Sequence, residues 1–183
     1  SNPAEVETCV NSGVDYCGFI LNYPKSHRYI SKDKAKNLTD IPKINTKFVG
    51  VLVQPSDKEL ENFSKLKIDY FQLYGNYDFN DLSKIKKKLN KKIITTIQVK
   101  KKDDVNNYKI IESESDIILW DSSGYEESLD WDYNWIRSIS IKVEKMVAGN
   151  ISIDKLKDLI YLADIMDVSG ALETNKVKDI NKI

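Results

Sequence analysis

The chain has 183 residues with 28 basic and 28 acidic side chains, so no global field draws it to nucleic acid or to an anionic membrane, and the expected partner is a small molecule. Its length suits one substantial core, and residues 1–183 read as a single domain. The two cysteines, Cys9 and Cys17, lack CxxC spacing, which argues against zinc and against a disulfide framework and fits a reducing, cytoplasmic setting; no apolar run is long enough to span a bilayer.

In chain order, PAEVETCVN (3–11) reads as a helix with Ser1 or Asn2 as cap and Pro3 in the first turn. Short apolar runs rich in β-branched and aromatic residues follow: YCGFIL (16–21), FVGVLV (48–53), YFQL (70–73), IITTIQV (93–99), DIILW (116–120), KMVA (145–148) and IMDV (165–168). Between them lie polar, lysine-rich segments with one apolar face, on Leu60, Phe63 and Leu66 within 57–67 and on Ile85 and Leu89 within 83–89. The charge run 100–104 reads as a solvated loop, and 176–183 as the start of an amphipathic helix on Val177, Ile180 and Ile183. Continuous apolar strands alternating with one-sided helices mean a parallel sheet covered by helices, so the class is α/β. The expected architecture is a (βα)8 TIM barrel with its first strand missing from the chain and its last helix cut short, because the sequence opens directly on a helix. An open doubly wound sheet is the runner-up, but no GxGxxG turn follows an early strand.

A (βα)8 barrel keeps its reacting groups at the C-terminal ends of the strands and in the loops that follow. This selects Arg28 in the polar stretch 22–30, then Gln54, Gln72 and Tyr74, Asp121, Ala148-Gly149-Asn150, and Asp167 with Ser169 and Gly170. Asp121 ends an apolar run, as a strand terminator or as a reagent, and its place at a barrel mouth favours the reagent. Arg28 suits a carboxylate, which arginine grips with two parallel hydrogen bonds. His27, the one histidine, is more often incidental in such a loop. Cys17 reads as core and Cys9 as outer helix surface, and neither is a good nucleophile candidate. The small residues of VAGN and DVSG, each after a strand, suit phosphate oxygens through exposed backbone N–H groups.

The order of these motifs resembles the phosphoribosylanthranilate isomerase family of tryptophan biosynthesis, essentially end to end. PAEVETCVNSGVDYCGFIL echoes the family's PEDAxxAxxxGAD and xxGFIF, SHRYI its SPRYI, VGVLVQ its VGVFVN, and DYFQLYG its DxxQLHG. LWDSSGYEESLDW is similar to its LLDS followed by FDW, AGNI to its AGGL, and MDVSGALE to its VDVSSGVE. The resemblance implies an Amadori rearrangement of a phosphorylated small-molecule substrate in a monomer or homodimer, with no metal or cofactor. On this match Asp121 is the general acid, its apolar strand offering the desolvation that raises a carboxyl pKa. Arg28 holds the anthranilate carboxylate, Gln72 contacts substrate, and Gly149, Asn150, Ser169 and Gly170 form the phosphate turns. The general base is a cysteine in a KxCG motif on the first strand, just ahead of where this sequence begins. Tyr74, Asn150 and Ala171 stand where the family has histidine, glycine and glycine, and Tyr125-Glu-Glu-Ser replaces its GGTG loop. Two other readings remain: a diverged or non-catalytic ribose-phosphate-binding barrel, and a related isomerase with another aglycone.

Overall fold

Reciprocal caps set where the helices begin. Asn2 accepts from the Glu5 amide while the Glu5 carboxylate returns to the Asn2 backbone, starting α1 (Pro3–Asn11) with proline in its first turn. Ser56 with Glu59 starts α3 (Asp57–Phe63) in the same way, Asp78 with Asp81 starts α4 (Phe79–Leu89), and Ser31 alone caps α2 (Lys32–Thr39). The computed structural model describes residues 2–122 and 129–183, so the alternative cap Ser1 and the 125–128 departure lie outside the described residues. The helix expected over 57–67 stops at Phe63, and Leu66 enters the core from the turn beyond it.

Strands β1 (Tyr16–Ile20), β2 (Lys47–Val53), β3 (Tyr70–Tyr74), β4 (Lys92–Val99), β5 (Ile117–Ser122), β6 (Glu144–Val147) and β7 (Ile165–Met166) pair in chain order, every pair parallel. This is the sheet of a (βα)8 barrel with seven strands among the described residues, β1 and β7 being its edges. At the upper end of β1, the Ile30 N–H donates to the Ile20 carbonyl at 3.0 Å, so the returning loop covers part of that edge.

Side chains alternate across each strand, and the alternation divides the apolar residues between two cores. Phe48, Leu52, Phe71, Leu73, Ile93, Ile97, Ile118, Trp120 and Val147 face the helices, joined by Leu38, Leu60, Leu82 and Leu159. Val49, Tyr70, Ile94, Ile117, Leu119 and Met146 fill the inner face. The period of two then decides what lies above them: Gln72 and Tyr74 follow Tyr70, Asp121 follows Leu119, and Asp167 follows Ile165 on the same face. The inner face thus turns from apolar to polar toward the C-terminal strand ends.

Two expectations change. The amphipathic helix expected over 176–183 is absent; β8 (Glu173–Thr174) instead pairs antiparallel with β9 (Val177–Lys178) through Asn175 and Lys176, at φ 53° and 62°. Two consecutive left-handed residues make the tight turn that matches strand twist, and asparagine is well suited to it. Lys178 is also drawn to the Glu173 carboxylate at 3.2 Å, a fixed pairing that a helix of two turns in water does not outweigh. The charge run at 100–104 is exposed as expected, but it leads into a 3-10 helix, Lys102–Asn107, because Asp104 accepts from the Lys100 and Lys101 amides.

Candidate active site

Asp121 projects from the inner face of β5, one residue before the strand ends. The Tyr74 hydroxyl, on β3, donates to Asp121 Oδ2 at 2.7 Å, and Gln72 Nε2 reaches the same hydroxyl at 3.2 Å. Gln72 also hydrogen-bonds Asp167, so two carboxylates are linked through an amide and a phenol at the mouth. Burial pushes the Asp121 carboxyl up to about 6; the Tyr74 hydrogen bond opposes this and the Asp167 charge adds to it. Burial raises Asp167 as well, against the charge of Lys178, the Gln72 bond and the charge of Arg28. A carboxyl titrating near neutrality can both hold and deliver a proton.

A second cluster lies across the mouth, between the loops after β1 and β7. Arg28 grips Glu173 with two parallel bonds, Nε to Oε1 at 2.5 Å and Nη2 to Oε2 at 3.1 Å. His27 Nε2 lies 3.1 Å from the same Oε2, so the histidine expected to be incidental has a partner, yet at the rim. Gly170 passes close to the Arg28 guanidinium, and the Ser169 carbonyl accepts from Lys178 Nζ at 2.7 Å. Although partial burial opposes ionisation, the bonds from Arg28 and His27 and the Lys178 charge hold Glu173 at about 2. A depressed carboxyl stabilises the fold above its unfolded pKa, here 4.5, and that contribution is lost as pH falls toward 2. Glu173→Gln should therefore lose less stability than the parent between pH 4.5 and about 2, as read by thermal melts across that window.

The third predicted group, Gly149 and Asn150, follows β6. Gly149 has φ 102° and leaves no room for a Cβ, which would sit 3.0 Å from Ser122 Oγ and from the Leu129 carbonyl. Asn150 adopts φ 47°, its side chain bonded to Asp130 at 3.1 Å and its carbonyl to Lys155 Nζ at 2.8 Å. The Asn150 amide side chain is therefore committed to Asp130, and what the turn offers a ligand is backbone. Trp131 Nε1 donates to the Ala148 carbonyl at 2.8 Å and Tyr133 to that of Gly149, which fixes the turn's shape. At the end of β2, Gln54 has φ 42° and its N–H donates to the Tyr74 carbonyl at 2.9 Å, a structural task.

A profile of the N-(5'-phosphoribosyl)anthranilate (PRA) isomerase family matches residues 1–183. The chain belongs to that family. Among curated relatives, N-(5'-phosphoribosyl)anthranilate isomerase from Streptococcus mutans is 30% identical over 188 residues, spanning 100% of this chain and 91% of the relative. The isomerase from Clostridium kluyveri is 29% identical over 185 residues, spanning 96% and 86%. Phosphoribosyl anthranilate isomerase from Thermotoga maritima superposes with TM-score 0.84 at 24% identity, covering 100% of this chain and 90% of that one. The isomerase solved in complex with reduced 1-(o-carboxyphenylamino)-1-deoxyribulose 5-phosphate gives TM-score 0.79 at 23% identity, covering 99% and 89%.

Within the phosphoribosylanthranilate isomerase frame, the structure brings Asp121 and Gln72 into one hydrogen-bonded group and Arg28, Ser169 and Gly170 into another. Gly149 packs on Ser122, the residue next to Asp121. Glu173 and Lys178 were not singled out from the sequence, although Glu173 ends the DVSGALE motif that resembles the family's VDVSSGVE. Asp167 carried a signal, since it follows its strand as Asp121 ends its own.

Proposed function

We infer that the chain is a phosphoribosylanthranilate isomerase, converting N-(5-phosphoribosyl)anthranilate to 1-(2-carboxyphenylamino)-1-deoxyribulose 5-phosphate in tryptophan biosynthesis. The observation that carries the reading is Asp121, a carboxyl raised to about 6 at the end of β5 in a chain matched to that family throughout. Protonated Asp121 donates to the furanose ring oxygen as the ring C–O bond breaks, leaving an open-chain iminium ion and an ionised Asp121. A base then removes the C2 proton, and the resulting enolamine tautomerises to the ketone. The family's base is a cysteine on a strand preceding α1, so the assay uses the chain carrying a Lys-x-Cys-Gly strand ahead of Asn2.

Arg28 is assigned to the anthranilate carboxylate, with Glu173 pinning the guanidinium at the rim. Gln72 lines the same face, and the backbone N–H groups of Gly149, Asn150, Ser169 and Gly170 are assigned to the phosphate. Lys155 and Lys178, bonded to the Asn150 and Ser169 carbonyls, place a positive charge beside each turn. The reading takes residues 1–183 as one domain, working in the cytoplasm as a monomer or homodimer; among the described residues no helix is long and apolar enough to cross a membrane.

Arg28→Ala should weaken binding of the reduced, carboxylated product analogue by about tenfold to a hundredfold, the size of a lost charged hydrogen bond. Its decarboxylated counterpart should bind both proteins alike in the same calorimetric titration. Equal losses for the two analogues would move the carboxylate contact elsewhere. The reading of a binding barrel without turnover draws on Asn150 and Ala171, which stand where the family has glycine; it requires tight analogue binding with no conversion.

A further inference from the structure

Gln72, Tyr74, Asp121 and Asp167 form a chain whose polarity follows from its chemistry. An ionised Asp121 only accepts, so the one hydroxyl proton of Tyr74 points at Oδ2. The Tyr74 oxygen is then left to accept from Gln72 Nε2, and an amide nitrogen only donates, as it also does toward Asp167. The tyrosine fits this task because a phenol accepts and donates at one atom, and because burial with two nearby carboxylates keeps it protonated well above the usual range. Among the described residues, the other oxygen, Oδ1, has the Ser122 hydroxyl beside it at 3.4 Å, beyond a strong hydrogen bond, and the Ser122 backbone also stabilises the carboxylate.

We propose that Tyr74 is the positioning residue of the general acid: oriented by Gln72, its hydroxyl engages Oδ2 of Asp121 and confines the transferable proton to Oδ1, the oxygen left for the substrate. This rests on the reading of Asp121 as the acid. A neutral carboxyl carries its proton on either oxygen, and an acid with the proton on the wrong one must rotate or exchange before it reacts. With Oδ2 committed as an acceptor, protonation prepares the productive form directly. The same bond favours the ionised form, so it keeps Asp121 from rising further and lets it release its proton near neutral pH.

The test is a ¹³C-carboxyl NMR titration of the full chain labelled at aspartate, which reads Asp121 without any turnover. Tyr74→Phe removes one oxygen and keeps the ring, so packing is retained. The Asp121 midpoint, near 6 in the parent, should rise by about one pH unit, as expected for loss of one charged hydrogen bond to the ionised form. Gln72→Met, which leaves the Tyr74 hydroxyl in place and removes its orienting donor, should raise it less. With loss of N-(5-phosphoribosyl)anthranilate fluorescence as the readout of turnover, kcat of Tyr74→Phe should fall about tenfold with KM within about twofold, the alkaline limb of its pH profile moving up with the NMR midpoint. An Asp121 midpoint in Tyr74→Phe that is unmoved or lowered overturns the proposal. A parent without turnover but with the expected NMR shifts refutes the isomerase reading while leaving the positioning bond established.

Discussion

Asp121→Asn abolishes turnover of N-(5-phosphoribosyl)anthranilate, lowering kcat by about a thousandfold or more while the fold persists; general acids commonly supply factors of about 10² to 10⁴. An amide has no proton acidic enough to deliver to a ring oxygen, yet it matches the carboxylate in shape and still accepts from Tyr74 through its carbonyl oxygen. The same substitution has a stability signature of opposite sign. Burial raises the folded pKa of Asp121 from 3.8 to about 6, so the folded state binds more protons than the unfolded one between those values. The contribution of this carboxyl is therefore least unfavourable below 3.8 and becomes destabilising as pH rises through about 6. Asp121→Asn should melt above the parent at pH 8, and this gain should shrink to nothing near pH 4 in parallel calorimetric scans. A variant that loses activity and stability together at pH 8 would mark the carboxylate as structural.

Trp120→Ala is expected to be the most destabilising single change. The indole has no exposed surface, packs edge-on against Tyr108 at 6.3 Å and donates Nε1 to the Val105 carbonyl at 3.0 Å. Truncation leaves a cavity behind β5 and an unpaired carbonyl, together costing about 3–5 kcal/mol. Against a total stability of about 5–15 kcal/mol, this removes a large fraction of the fold's margin. The denaturation midpoint in urea should fall steeply with little change in slope. A loss below about 1 kcal/mol would mean that the layer between sheet and helices repacks around the gap, contrary to a close-packed interior.

The parallel sheet was legible because its strands are buried on both faces and therefore read as unbroken apolar runs. DIILW, for example, carries Ile117, Ile118, Leu119 and Trp120, each without exposed surface. The position of Asp121 was legible from the same run, which ends on a carboxylate at the C-terminal end of its strand. The groups around it were not. Tyr74 lies 47 residues from Asp121 and Arg28 lies 145 from Glu173, and no local pattern couples such positions. Tyr74 read as a strand-end residue and as a departure from the family's histidine; its bond to Asp121 emerges from positions on one barrel face. The end of the chain was misread because Val177, Ile180 and Ile183 keep helical spacing, whereas Asn175 and Lys176 take left-handed conformations and Glu173 fixes Lys178. There, turn chemistry and one charge cluster outweighed a periodicity too short to nucleate a helix.

The most direct measurement is the loss of N-(5-phosphoribosyl)anthranilate fluorescence, followed with the chain carrying a Lys-x-Cys-Gly strand ahead of Asn2, alongside its binding of the reduced product analogue. Conversion that disappears with Asp121→Asn while the analogue still binds is the predicted result. A folded protein that binds the analogue and converts nothing would contradict the account and leave a phosphate-binding barrel in place of an isomerase.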